Sequence, residues 1–141
     1  MSRTLSELQE LIFDTLNDDV TLRTLLGGTG RVKYAGVQNK AEYPVVTYQV
    51  IAEMDNAYNA DSPQASIISS RVVIQTFVNN TSPLTAAAID DRIYALFNGQ
   101  ALSNTDVKVF SCYRVKRDEV YDYNVKVWVI TSSYNIVNTN A

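Results

Sequence analysis

The side chains that could do chemistry in this sequence are carboxylates, because histidine is absent. Its absence removes the commonest general base, the usual metal ligand and both Ser-His and Cys-His nucleophile pairs. Three adjacent acidic pairs are left, Asp18-Asp19, Asp90-Asp91 and Asp118-Glu119. Neighbouring side chains point apart on a helix or a strand, so none of these pairs is a ready dyad or metal clamp. They read as helix caps and solvated turns, with Asp90 and Asp91 turned away from the apolar stripe of their helix. A carboxylate enzyme using a divalent metal would need Asp90, Asp91, Asp118 or Asp122 to meet another acid across the fold. Gly27-Gly28-Thr29-Gly30-Arg31 has the composition of a phosphate loop. Such a loop follows a strand and opens a helix, and this one has the reverse polarity, so it reads as a helix-ending turn. Arg114-Val115-Lys116-Arg117, with Lys108 and Lys126, forms a modest basic cluster. Strict alternation separates Arg114 and Lys116 from the face of Arg117. With Asp118, Glu119 and Asp122 close by, the cluster reads as a solvated hairpin with local ion pairs. The residues therefore give no catalytic group, no cofactor site and no metal site, and the expectation is a non-enzyme.

The totals narrow the partners. Twelve basic and fifteen acidic residues leave a net charge of −3, which disfavours phosphate neutralisation and hence nucleic-acid binding as the main role. No apolar run reaches the length of a bilayer, and the N-terminus carries acids where a signal peptide is basic. The chain is thus expected to be made in the cytoplasm without a membrane partner. The lone Cys112 reads as a buried, inert thiol. At 141 residues the chain is the size of one domain, and residues 1–141 are expected to form one. Its nine tyrosines suit interfaces as well as core edges.

The elements follow from periodicity. Thr4-Leu5-Ser6-Glu7 has the form of a capping box, followed by a helical stripe of Leu5, Leu8, Leu11, Ile12 and Leu16. Asp18-Asp19 stops that helix and caps a shorter one with Leu22, Leu25 and Leu26. A short strand fits around Val32 and Tyr34, then a clearer one at Val45–Ile51, with Pro44 at its start. Residues 52–65 are polar and without period, and are expected to be a long hairpin loop of the kind that carries function. The strongest local signals lie at Ile67–Gly99. There a strand with Val72, Ile74 and Val78 on one face leads through a Ser82 cap and Pro83 into a helix carrying Ala86, Ile89, Ile93, Leu96 and Phe97. Two more alternating strands follow, Val107–Lys116 and Val125–Ser132, joined by a turn at Asp118–Asn124, and a polar tail from Asn135 closes the sequence. The sum is an α+β fold of order α-α-β-β-β-α-β-β: a mostly antiparallel sheet of four to five strands with two to three helices packed on it.

Several strands carry apolar groups on both faces: Val73, Phe77, Phe110, Trp128 and Ile130 interrupt the polar side. Either the first two helices cover that second face, or other subunits do.

The order and spacing of Leu5–Leu16, Asp19-Val20, Leu25-Leu26-Gly27, Arg31–Tyr34, Tyr43–Tyr48, Arg71–Phe77, Ala86–Leu96 with Gly99, and Tyr113–Asp118 with its hairpin partner resemble the tail-terminator, or tail-completion, proteins of long-tailed bacteriophages. The resemblance spans nearly the whole chain. It implies a virion structural subunit that assembles as a ring, generally a hexamer, on the head-proximal end of the tail tube. That ring stops tube polymerisation and offers a surface to the head connector, with DNA free to pass through it. The implied partners are a second copy of the chain, the tail-tube protein and the head connector or completion protein, with no sequence-specific nucleic-acid contact. A head–tail connector of the neck is the alternative. A small carboxylate or metal-dependent enzyme and a host-binding adaptor are the remote ones. On this reading the residues expected at subunit or tail interfaces are Arg71, Val73, Gln75 and Phe77 on the second face, Met54, Asp55, Tyr58 and Asp61 in the polar loop, and Arg114, Lys116 and Trp128 on the last hairpin.

Overall fold

A computed structural model describes residues 3–35, 43–55, 67–79, 83–104 and 107–140. Helix α1 runs Arg3–Asn17 and buries Leu8, Leu11, Ile12 and Leu16, the three- and four-residue spacing of one helical face. It begins at Arg3, so the backbone of Thr4 is within the helix and not at the cap position expected for it. Helix α2 (Val20–Leu26) starts as anticipated: the Leu22 amide donates to Asp19 Oδ2 at 2.8 Å. It ends at Gly27, whose φ of +84° lets Gly27 and Gly28 donate back to the Thr24 and Arg23 carbonyls. After the strands β1 (Val32–Tyr34), β2 (Val45–Asp55) and β3 (Ile67–Val78), helix α3 spans Leu84–Phe97. Pro83 occupies the cap position of α3 and not its first turn, and its carbonyl accepts from the Ala87 amide. Ser82 lies outside the described residues.

The remaining strands, β4 (Val107–Asp122) and β5 (Val127–Asn140), complete a five-stranded sheet of order β1-β2-β3-β5-β4. β1 pairs with β2 in parallel and every other pairing is antiparallel. Three boundaries differ from expectation for a shared reason: cross-strand pairing extends strands through polar sequence that has no periodic signal. Ala52–Asp55 belong to β2 and pair with Arg71–Ile68, while the rest of the expected loop, like residues 36–42, lies outside the described residues. β4 continues past Asp118 to Asp122, and the turn is Tyr123–Lys126, where Asp122 Oδ1 accepts from the Asn124 amide at 2.9 Å. The polar stretch from Asn135 is not a frayed tail. It lies in β5, between β3 and β4, held by a ladder on each side.

β4 departs from simple alternation at two bulges. Its pairing with β5 skips Phe110, between Val109 and Ser111, and again Val115, between Arg114 and Lys116. Each extra residue reverses which parity faces the core. The inward positions are therefore Val107 and Val109, then Cys112 and Arg114, then Arg117 and Glu119. On β5 the buried side is Ile130, Ser132, Tyr134, Ile136 and Asn138, so Ile130 belongs to the core and not to the second face.

All three helices lie on one side of the sheet. The core joins Leu8, Ile12 and Leu16 of α1, Leu22 and Leu26 of α2, and Ile89, Ile93 and Phe97 of α3 to Tyr48, Val50, Val72, Ile74, Ile130 and Ile136 of the sheet. Each such aliphatic or aromatic side chain contributes about 1.5–3 kcal/mol when fully buried. Among the described residues the opposite face carries no helix, which removes the first two helices as its cover. The free edge of β4 is protected over its first half. Val109 donates to the Leu102 carbonyl, Gly99 to Cys112, and Arg114 to Asn98 Oδ1. Gly99, at φ +72°, turns its amide toward β4 and not back onto α3. No helix among the described residues is long and apolar enough to cross a membrane.

Candidate functional site

The second face is a ladder of small polar and apolar side chains, and its geometry follows from register. Val45, Phe77, Val129 and Val120 form one row across β2, β3, β5 and β4. Thr47, Gln75, Thr131 and Asp118 form the next, and Gln49, Val73, Ser133 and Lys116 the one after. Arg71, Asn135 and Tyr113 follow, then Ser69, Val137 and Ser111. Within these rows Gln75 Nε2 donates to Thr131 Oγ1 at 3.2 Å and Arg71 Nε to Asn135 Oδ1 at 3.4 Å. Cross-strand pairs of this kind are each worth roughly 0.2–1 kcal/mol, and at the β2 end of the rows Val45 and Thr47 are buried. Val73, Gln75 and Phe77 are half-buried, and Arg71 is exposed. At the Ser69–Arg71 end the face sinks into an open pocket of about 310 Å³ lined by Ile51, Ser69, Ser70, Arg71, Asn135, Ile136 and Val137. At the other end the hairpin turn presents Tyr123, 82% exposed, and Val125, 57% exposed, next to an exposed Val120.

The expected interface residues divide between the two sides of the sheet. Arg71, Val73, Gln75, Phe77 and Lys116 share the helix-free face. Lys116 reaches Asp118 at 3.4 Å, an exposed pair of little energetic weight. Trp128 lies on the helix side, packed against the core with Tyr121 edge-on at 5.1 Å. Arg114 lies there too. Met54 and Asp55 end β2 opposite Ser69 and Ile68, and Tyr58 and Asp61 lie outside the described residues.

Arg114 belongs to the most concentrated charge cluster among the described residues, which the sequence reading misses. Asp90 of α3 is only 2% exposed and faces the sheet, contrary to the expectation that it points away. It accepts from Arg117 Nε at 2.8 Å, Arg114 Nη1 at 3.2 Å and Ser132 Oγ at 2.8 Å. Arg114 also lies over the Tyr94 ring at 4.2 Å, and Arg117 reaches Glu119 at 3.1 Å. The bond to Asp90, more than any other influence, makes the Arg117 guanidinium hold its proton more tightly. Beside the cluster the buried Tyr134 hydroxyl has no hydrogen-bond partner, and burial raises its pKa. Arg114 opposes that rise from outside hydrogen-bonding geometry. Both arginines reach Asp90 only because the bulge at Val115 brings Arg117 back to the side of Arg114. Their expected separation onto opposite faces is therefore incorrect. The missed signal was Asp90 itself, four residues after Ala86, three before Ile93 and seven before Phe97, squarely within the buried stripe of α3.

A second ion pair joins the helices: Arg92 of α3 donates through Nη2 to Asp19 Oδ1 at 2.6 Å and through Nε to Oδ2 at 2.8 Å. This fork, with the α2 cap, holds the Asp19 carboxyl below the usual carboxylate range against the opposing effect of burial. Cys112 is fully buried and burial pushes its thiol up to about 12. Among the described residues no three histidine, cysteine, aspartate or glutamate side chains come together as a metal site would need. The three adjacent acidic pairs are accounted for by a cap, a buried arginine cluster and surface pairs, and Asp90 meets arginines and not a second acid.

No protein-family model and no curated protein sequence matches the chain. A solved structure of similar fold is a chain from "Virion of native gene transfer agent (GTA) particle". The two superpose with a TM-score of 0.76 at 15% identity, over 99% of this chain and 100% of that one. At that identity the likeness is one of fold.

Proposed function

We propose that this chain is a structural subunit of a phage-like virion, acting as the tail terminator: a ring on the head-proximal end of the tail tube that halts tube growth and receives the head. The observation that carries this reading is the likeness of fold, over 99% of this chain, to a chain of a gene transfer agent virion. The agreement of element order with the tail-terminator pattern supports it from the sequence side. So does the second sheet face, which has no helix over it among the described residues and mixes apolar groups with polar ones and a few charges, a surface suited to another protein. On this reading the chain acts by shape and assembly, as one domain over residues 1–141, and needs no catalytic group or cofactor. Its partners are further copies of itself, most simply six, together with the tail-tube protein and the head connector.

The test is to delete the gene in the particle's producer and examine the products by electron microscopy. Tails of uncontrolled length beside full, unjoined heads are expected. Labelled protein found on free tails supports the terminator. Its presence on free heads assigns it to the neck as a connector, and its absence from particles sinks the virion reading.

A further inference from the structure

We propose that copies of this chain join head to tail, with the β4–β5 hairpin tip of one copy seated in the pocket at the opposite end of the second face of the next. The inference rests on the self-assembling role proposed above and specifies the contact that builds it. Two observations meet here. The turn Tyr123–Lys126 exposes a tyrosine and a valine, and Tyr123 stays 82% exposed although its ring meets that of Tyr121 edge-on at 4.8 Å. The pocket at the far end of the sheet has the aliphatic side chains of Ile51 and Val137 in its wall, with Ile51 52% exposed, and its volume of about 310 Å³ has ample room for one aromatic ring. The Phe77 row near the tip and the Ser69–Arg71 rows at the pocket are six to eight residues apart along β3, about 20–26 Å at the rise of a strand. One copy therefore cannot fill its own pocket with its own tip.

Charge selects a second copy as the occupant. The pocket rim carries Arg71, whose Nε donates to Asn135 Oδ1 over a long 3.4 Å and for which no ion pair is found among the described residues. The tip carries Asp122, whose Oδ1 accepts the turn amides while no cation pairs with it among the described residues. Seating Tyr123 in the pocket brings the acid to the cation. Donor patch and acceptor patch are different surfaces, so the contact is heterologous, and it closes into a ring when the rotation per copy divides a full turn. Buried tyrosine and arginine are the residue types that most often dominate an interface.

Sedimentation velocity on the full chain, from micromolar to millimolar concentration, tests the proposal. The wild type is expected to assemble with concentration. Arg71→Glu, Asp122→Arg and Tyr123→Ser should each weaken assembly at least tenfold while circular dichroism shows a native fold. Should Asp122→Arg disturb the turn, Val125→Ser serves in its place as a tip variant. The deciding measurement mixes Arg71→Glu with Asp122→Arg. Each interface in the mixture can then be oppositely charged, so assembly should return. Wild type that stays monomeric at millimolar concentration overturns the proposal, as does a monomer that binds purified tube protein through residues 122–125. Assembly that ignores all these substitutions overturns this contact but leaves the ring reading intact. Absence of the chain from particles sinks that reading without touching the measured interface.

Discussion

Asp90 shows how one residue can carry a structural load that its sequence neighbours conceal. It is an acid in the middle of an apolar helical stripe, tolerable only because two guanidinium groups and a hydroxyl meet it. Removing one partner of a buried ion pair typically costs 3–5 kcal/mol. Here the arginines are about a third exposed or less and can regain water. Asp90→Ala should therefore destabilise by about 3 kcal/mol, which urea denaturation followed by circular dichroism will measure. Asp90→Leu with Arg114→Met and Arg117→Met should recover most of that loss, because it leaves no unpaired charge. Asp19 differs in being partly exposed and in titrating within reach. Its carboxyl is more acidic in the folded state than in the unfolded chain, so its contribution is complete above about pH 4 and disappears as pH falls through the lowered folded value. Asp19→Asn should consequently be less stable than wild type at pH 7. At pH 3 the gap should narrow, visible as converging melting temperatures.

Within the elements, legibility followed periodicity. The stripe of α1, the Asp19 cap, the Gly27 stop and the alternation of β3 all rest on contacts within a few residues, and those positions agree with the sequence reading. β4 does not reward the same method, because its bulges at Phe110 and Val115 insert single residues that no local composition marks. Alternation counted straight through them places Arg117 on the wrong face and hides the Asp90 cluster. The polar end of β5 was equally illegible, since its order comes from β3 and β4, distant in sequence. The bulge predicts an asymmetry between substitution and deletion. Val115 is half exposed, so Val115→Ala should change stability by about 0.5 kcal/mol or less. Deleting Val115 should move Arg117 off Asp90 and cost as much as Asp90→Ala, again read from urea midpoints. A deletion as mild as the substitution would show that the strand re-registers freely.

Across the whole molecule, one side of the sheet is sealed by three helices and the other carries no helix among the described residues. Candidate interface residues on the open side were legible because β3 alternates cleanly. Arg114 was drawn to the wrong side of the last hairpin by the bulge at Phe110, whereas Trp128 lies on unbulged β5 and was misplaced because both faces of that strand carry apolar residues. Cys112 gives a global readout of the sealed side. It sits between β4 and the helices, with its thiol pushed up to about 12 by burial. Alkylation at pH 8 should be negligible in the native state and rise only with unfolding, following the urea transition by mass spectrometry. Labelling well below that transition would reveal local opening of β4. The sheet order also bears on synthesis. β5 follows every other strand in the sequence yet fills the place between β3 and β4. Until it leaves the ribosome, β3 has an unfilled edge and β4 has no partner strand. Folding must therefore wait for the last strand, and the nascent chain passes through a stage at which β3 is open to pairing with other chains, a vulnerability that chaperones would be needed to cover.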